Sequence, residues 1–300
     1  MNWKNISCCF IIFMILLSSC SKEDKIIPMG ADEDVLRYEF PQGTNSWDED
    51  IVAIYERFGV RLIYKGFKHA DFNRSWTGIG ISNEMFGSDL TDEQAEFSTD
   101  FMKKHIFAYL VPEILVKVLP DYWYMIYNYH NTGSFGSWEY RVPRTFVGDG
   151  LDFWGICLFD DLSAEGEVLQ TPKTPEEFRE RRREILKYIF KQSFVKGNIA
   201  VPQGFEERFD YKTNLSSKVS DENYYITRGF PKYQTKQPKN VNEQFKDYID
   251  ICVDYSKEEF EAKYPSAKYP LINEMRQFVI DCVKNAYDID WESISILEDK

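Results

Sequence analysis

Two lysines and two acids are the side chains whose types and spacing offer chemistry in this sequence. Lys187 and Lys191 lie four residues apart on a predicted helix, so one side chain stands a turn above the other. Glu243 and Asp247 stand near the start of a later predicted helix. The two ammonium groups either approach Glu243 and form salt bridges, or stay solvated on an exposed helix face. The solvated face is the favoured alternative, because charged side chains on a helix usually face water.

The histidines and the common catalytic motifs offer no clear second site. The three histidines are His69, His105 and His130, and each stands outside any recognised motif. A lone histidine is more often structural or exposed than catalytic. The chain contains no His-Glu-x-x-His, no G-x-S-x-G, no phosphate-binding loop and no dinucleotide fingerprint.

The helix that carries the two lysines is predicted over Thr174–Gly197. Thr174 suits the N-cap, Pro175 suits the first helical position, and Gly197 can end the helix in a left-handed conformation. Apolar residues recur at helical spacing at Phe178, Ile185, Leu186, Ile189, Phe190 and Phe194. This helix should therefore pack against the core.

The remaining elements predict an α+β protein, rich in helix with a small sheet. Residues 198–239 show no period and are predicted to be irregular. Helices are predicted at 45–58, from Thr91 towards Leu110, and at 112–119, 121–130, 241–255, 256–263, 270–287 and 291–297. Strands are predicted at 60–64, 141–148 and 153–159, and residues 75–89 are predicted to form a loop.

The aromatic run within 121–130 allows two interpretations. Tyr122, Trp123, Tyr124, Tyr127 and Tyr129, with Trp138 nearby, either pack in the core or form a platform for sugars or peptides. Core packing is the favoured interpretation, and Trp76 is the better platform candidate if it faces solvent.

The N-terminus is typical of a bacterial lipoprotein signal. A short apolar segment over residues 8–17 follows Lys4 and ends in Leu17-Ser18-Ser19-Cys20, which resembles a lipobox. Residues 1–20 are thus predicted to be a signal peptide, with Cys20 as the lipidated residue. Residues 21–34 read as a flexible tether, and residues 35–300 as a single domain.

Charge and cysteine content narrow the function classes. The formal net charge is −13, and removal of residues 1–20 takes away one lysine and no acid, which leaves −14. Such an acidic chain is a poor partner for nucleic acid.

Besides Cys20, the mature chain keeps Cys157, Cys252 and Cys282, which do not form a disulfide framework. One alternative is a disulfide between Cys252 and Cys282. The favoured alternative is that Cys157, Cys252 and Cys282 are all buried thiols.

Six stretches occur in an order that is typical of one family. They are the lipoprotein start, IVAIYERFGVRLIYKG at 51–66, FAYLVPEILVKVL at 107–119, PRTFVGDG at 143–150, the helix at 174–197 and NEQFKD at 242–247. Together they resemble the zinc-binding metallopeptidase family of Bacteroidota lipoproteins, also described as substrate import-associated zinc metallohydrolases, and the resemblance covers nearly the whole mature chain. Separately, Ser21-Lys22-Glu23-Asp24 resembles a signal for export to the cell surface.

The resemblance implies a zincin-like fold with zinc bound by His-Glu-x-x-His on the long helix and by an acid further on. The corresponding positions hold Lys187, Tyr188 and Lys191, whereas Glu243 matches the position of the third ligand. A protonated lysine is a poor zinc ligand, and a tyrosine with a pKa near ~10 cannot replace a general-base carboxylate. The departure argues against a catalytic residue or a bound zinc cofactor in this chain, and leaves Glu243 and Asp247 as a retained acidic site.

The sequence therefore predicts a catalytically degenerate lipoprotein on the cell surface of the outer membrane. It is anchored by lipid on Cys20 and serves a TonB-dependent import system, with an unidentified peptide or glycan ligand. The first alternative is an active zinc metallohydrolase with atypical ligands, drawn from Glu184, Glu243, Asp247, His69 and His130. A second alternative is a structural partner with a large exposed apolar patch.

Overall fold

The structure is a computed structural model that describes residues 36–74, 84–135, 138–150, 152–160, 171–233 and 237–297. Phe40–Lys300 is one compact unit, and the fold below belongs to it; Met1–Glu39 is separate. The predicted signal peptide, Cys20, the tether and Trp76 lie outside the described residues. In the part that is described, no helix has both the length and the apolar character needed to cross a membrane.

A small mixed sheet is organised around one long strand. The strands are β1 (Arg61–Ile63), β2 (Met85–Ser88), β3 (Tyr122–Phe135), β4 (Trp138–Pro143), β5 (Phe146–Val147) and β6 (Phe153–Phe159). Strand β3 pairs in parallel with β1 and β6, and antiparallel with β2 and β4, while β5 pairs antiparallel with β6. Helices supply the rest of the fold, so the predicted α+β class, helix-rich with a small sheet, is confirmed.

Strand β3 corrects the prediction of a helix at 121–130. Its residues Tyr122 to Ile126 are all buried, because the strand lies between β1 and β6 and both of its faces are covered. A strand buried on both faces shows no alternation, and aromatic residues favour strands. Because alternation is absent, the aromatic run was mistaken for a helix. Core packing of Tyr122, Trp123, Tyr124 and Tyr129 is confirmed, and Tyr127 is half-buried.

The helices mostly follow their predicted bounds. The helix predicted at 112–119 is wrong beyond a single 3-10 turn, Pro112–Leu115, since Lys117 adopts a left-handed φ of 59°. The loop predicted at 75–89 also contains β2. The α-helices are α1 (Ser46–Phe58), α2 (His69–Phe72), α3 (Asp92–Phe101), α4 (Pro175–Val195), α5 (Val241–Asp254), α6 (Lys257–Lys263), α7 (Pro270–Tyr287) and α8 (Trp291–Ile294).

Helix α4 begins and ends where its sequence signals place it. Thr174 caps the first turn by accepting a hydrogen bond from the Glu177 backbone N–H, and the Glu177 carboxylate accepts from the Thr174 backbone N–H. Gly197 follows the helix with a φ of 81°, a left-handed conformation that glycine adopts without strain. Ile185, Leu186, Ile189 and Phe190 are buried against the core, as the stripe predicts.

The free cysteines are spread over the fold. All three are free thiols, so the alternative that pairs Cys252 with Cys282 is wrong. The favoured alternative of buried thiols holds for Cys157 and Cys252, whereas Cys282 is half-buried. Burial raises the pKa of Cys157 to about 11 and that of Cys252 to about 12. Both thiols are protonated near neutral pH and behave as small apolar side chains.

A buried arginine on α4 joins the C-terminal segment to the core. The Arg182 side chain is only 1% exposed and donates to the carbonyls of Ile294 at 3.0 Å and Ile296 at 2.5 Å. It also donates to the Tyr109 hydroxyl at 3.0 Å. One side chain therefore satisfies acceptors from two distant parts of the chain, and its charge is spread over several hydrogen bonds.

Replacing this arginine should destabilise the fold. We expect Arg182→Gln to lower the free energy of unfolding by about 2–3 kcal/mol, because it leaves buried acceptors without donors. The matched control is Arg208→Gln, since Arg208 is exposed and forms its ion pair with exposed Glu274; its loss should cost less than about 0.5 kcal/mol. Urea unfolding followed by circular dichroism measures both, and equal effects would contradict a special role for Arg182.

Candidate functional site

The candidate site begins where α4 lies beside α5. The Lys187 Nζ stands 2.6 Å from the Asp254 Oδ1, and Lys191 forms an ion pair with Asp250. Both lysines are half-buried, with side chains 27% and 33% exposed. Their prediction as solvated side chains is therefore wrong, because the acidic face of α5 covers them.

The acids of α5 form a stripe along one face of that helix. Glu243, Asp247, Asp250 and Asp254 are spaced by four, three and four residues, which places them on the same side of a helix. Asp247 and Asp250 are the most buried, at 5% and 9% of the side chain. Carboxylates at such depth need cationic or hydrogen-bonding partners.

The irregular segment before α5 supplies further partners to this stripe. The Lys232 Nζ contacts both Asp250, at 2.5 Å, and Asp247, at 3.2 Å, and Lys239 contacts Asp247 at 3.2 Å. Burial lowers the pKa of Lys232, but the hydrogen bond to Asp250 and the two negative charges outweigh that effect and raise it overall. Asp250 thus links lysines from α4 and from the irregular segment.

Glu243 is paired differently from the salt-bridge hypothesis. Its carboxylate accepts from Lys246 Nζ at 2.9 Å, within the same helix. That hydrogen bond lowers the pKa of Glu243, and the charges of Lys246, Lys239 and Lys191 act in the same direction. The lysines of α4 therefore pair with Asp250 and Asp254, two and three turns beyond Glu243 on α5, rather than with Glu243 itself.

Tyr188 is held between the helix and the sheet. Its ring packs edge-on against Trp154, with centroids 5.3 Å apart, and against Phe146 at the same distance. Its hydroxyl donates to the Gly148 carbonyl, and burial and the charge of Asp149 raise its pKa. A hydroxyl in this environment stays protonated and donates, so Tyr188 cannot act as a general base at neutral pH.

A cleft of about 850 Å³ opens along these contacts. Its α4 wall is a stripe of helical spacing from Glu180 to Lys191, and α5 and α6 form the opposite side. The lining residues are Glu180, Arg183, Glu184, Lys187, Tyr188, Lys191, Pro231, Lys232, Asp250, Ile251, Asp254, Tyr255, Lys263 and Tyr264. Five cationic side chains and four carboxylates therefore face a space large enough for a small organic ligand.

The lining residues do not fit a zinc ion at the positions that the resemblance implies. Lys187 and Lys191 present ammonium groups that are already paired with carboxylates, and the Tyr188 hydroxyl donates to a carbonyl. A protonated ammonium has no electron pair to offer a metal, and a neutral phenol is not among the usual zinc ligands. Over the described ranges, with their gaps, no group of three or more His, Cys, Asp or Glu side chains could hold a metal ion.

The alternative metal ligands have separate partners. Glu184 accepts from the Thr145 hydroxyl at 2.9 Å, and Asp247 and Glu243 are paired with lysines as described above. His69 stands 3.2 Å from Glu84, and the His130 ring bonds to the Asn128 carbonyl at 2.7 Å. The structure does not bring these five candidates together.

A search of solved structures found one with a similarity in fold to this chain. It is a crystal structure described as a "putative zinc-binding metallo-peptidase" from Bacteroides caccae, and it covers 85% of this chain and 92% of its own. The identity is 10% and the TM-score 0.42, so no residue role passes from that protein to this one. The sequence matches no family model and no curated protein.

Sequence reasoning missed half of the acidic stripe. It selected Glu243 and Asp247 but not Asp250 and Asp254, which are the partners of the α4 lysines. The signal was present in the spacing, because acids that recur over three turns of an otherwise apolar helix are unusual on a buried face. The presence of Lys232 in this cluster had no comparable signal.

The two ion pairs across the helices should differ in strength. We expect Asp250→Asn to lower the free energy of unfolding by about 2–3 kcal/mol, because its carboxylate is 9% exposed and serves two lysines. Asp254→Asn is the matched control: this carboxylate is 27% exposed and pairs with one lysine, so about 0.5–1 kcal/mol is expected. Urea unfolding of both variants gives the comparison, and a larger effect at Asp254 would contradict it.

Proposed function

We propose that this chain is a surface lipoprotein with the zincin-like fold of the family that its sequence resembles, and that it binds a ligand instead of catalysing zinc-dependent hydrolysis. It would serve as an accessory or binding component of an outer-membrane nutrient import system. The observation that carries the proposal is the identity and pairing of Lys187 and Lys191. Where the resemblance implies two imidazole ligands, two ammonium groups satisfy two carboxylates of α5.

The cleft supports the binding half of the proposal. Its side chains are charged, and several are held in place by ion pairs or hydrogen bonds from neighbouring elements. Preorganised polar side chains in a cleft favour specific recognition of a small ligand.

Zinc content is the decisive measurement for the loss of metal chemistry. We expect residues 21–300, purified without a metal-binding tag, to hold far less than one zinc per chain and to show no saturable zinc binding. The physical reason is that protonated, ion-paired lysines cannot ligate the metal. Elemental analysis with a zinc titration at neutral pH tests this, and stoichiometric zinc would favour the alternative of an active metallohydrolase with atypical ligands. Glu243→Ala would then show whether that acid is a ligand.

The lipid anchor has its own test. We expect the full chain, expressed in a Bacteroidota host, to incorporate a labelled fatty acid and to be digested by protease added to intact cells. Cys20→Ala should abolish the label, since the anchored residue is lost, whereas Cys8→Ala is the control and should keep it. A label that survives Cys20→Ala, or protection from protease on intact cells, would contradict the proposed anchor or its surface location.

A further inference from the structure

One end of the cleft gathers cations around the last turn of α5. Arg183 donates to the Asp254 carbonyl, and Lys187 pairs with the Asp254 carboxylate at 2.6 Å. Lys263, at the end of α6, donates to the Tyr255 hydroxyl at 2.6 Å. The C-terminus of a helix carries partial negative charge, so cations are stabilised there.

Two of these cations have no ion-pair partner among the described residues, although the negative charge of Asp254 acts on Lys263 from beyond ion-pair distance. Lys187 is paired, but in the part of the chain that the structure describes, neither Arg183 nor Lys263 has a carboxylate within ion-pair distance. Arg183 has five N–H donors and uses one on the Asp254 carbonyl, and Lys263 has three and uses one on Tyr255. Both residues line the cleft, so donors remain for a ligand.

The aromatic residues at this end are already occupied. The Lys263 ammonium stands 4.6 Å from the centre of the Tyr255 ring and 5.7 Å from that of Tyr264, and Tyr264 is buried. A ring covered by a cation offers no open face for stacking on a neutral sugar. Recognition at this end therefore depends on charge and hydrogen bonds.

We propose that Arg183 and Lys263 form a subsite for a carboxylate group of the ligand. This inference rests on the binding role proposed above and adds the chemistry of what is bound. A uronic acid of an oligosaccharide and the C-terminus of a short peptide both carry this group. The planar guanidinium of Arg183 suits a carboxylate, and the Lys263 ammonium adds a second charge-assisted hydrogen bond.

The carboxylates that line the cleft leave this subsite cationic. Asp250 and Asp254 are each paired with lysines, whereas Glu184 keeps its negative charge and is held by a hydrogen bond from Thr145; the lining still has five cations to four carboxylates. Glu180 lies one turn before Arg183 on α4 and is exposed. Exposed charges are screened by solvent and salt, so Glu180 opposes an incoming carboxylate only weakly.

Two matched ligand pairs test the carboxylate requirement. The probes are trigalacturonate with its methyl ester, and N-acetyl-trialanine with its C-terminal amide. We expect at least one acid to bind residues 21–300 by titration calorimetry, with its neutral partner about tenfold weaker and with affinity that falls as salt rises. The acid that binds identifies the source of the carboxylate.

Variants test the two residues. Lys263→Gln should weaken the acid about tenfold and leave its neutral partner unchanged, and Arg183→Gln should act in the same direction. Lys268→Gln is the matched control for Lys263, because Lys268 also lies over a tyrosine ring, 5.1 Å from that of Tyr269, but does not line the cleft. Lys263 is exposed, so its replacement should leave folding intact even if Arg183→Gln does not.

The outcomes separate this inference from the proposed function. Failure of both acids to bind, equal binding of acid and neutral partner, or no effect of Lys263→Gln would overturn the carboxylate subsite. Equal binding of a neutral partner would still leave the proposed binding role standing. The zinc measurement fails or succeeds independently, because none of these titrations requires a metal.

Discussion

The pairing of α4 lysines with α5 carboxylates is the constraint on which the cleft depends. Helix α5 buries Phe245, Ile249 and Cys252 on its core side, and that burial provides most of its stability. Burial is not directional, however, and it would tolerate small shifts of one helix along the other. The ion pairs at Asp250 and Asp254 oppose such small shifts, since each would move an ammonium group away from its carboxylate.

The same constraint explains why a long irregular segment stays against α5. Residues 198–233 and 237–240 have little regular structure, and several of their groups contact the helix. The Gly229 carbonyl accepts from Tyr248 at 2.8 Å and from Gln244 at 3.2 Å, and Lys232 completes the pairing of Asp250. The two α4 lysines pair with Asp250 and Asp254, and the irregular segment supplies the further lysines that the acidic stripe needs. Because it is held against α5 in this way, the segment forms part of the cleft wall.

The sequence predictions were accurate where structure depends on neighbouring residues and failed where it depends on residues far apart in the sequence. The ends of α4 were predictable because Thr174 and Gly197 act on the backbone next to them. Strand β3 was mistaken for a helix because its lack of alternation depends on β1 and β6, which lie far away in sequence. The partners of Lys187 and Lys191 were unpredictable in the same way, because the offset between α4 and α5 is set by packing. Hence Asp250 and Asp254 replaced Glu243 as their partners.

The way the charges are used decides what the cleft can do. A catalytic zinc keeps one coordination position open for water or substrate, and so balances acidic charge while remaining reactive. Lysine ammonium groups balance the same charge, but Lys191 and Lys187 direct theirs to Asp250 and Asp254 and offer no nucleophile or Lewis acid. What remains for an incoming molecule are the donors not used within the protein. The carboxylate subsite proposed above uses such donors, on the cations at the end of α5.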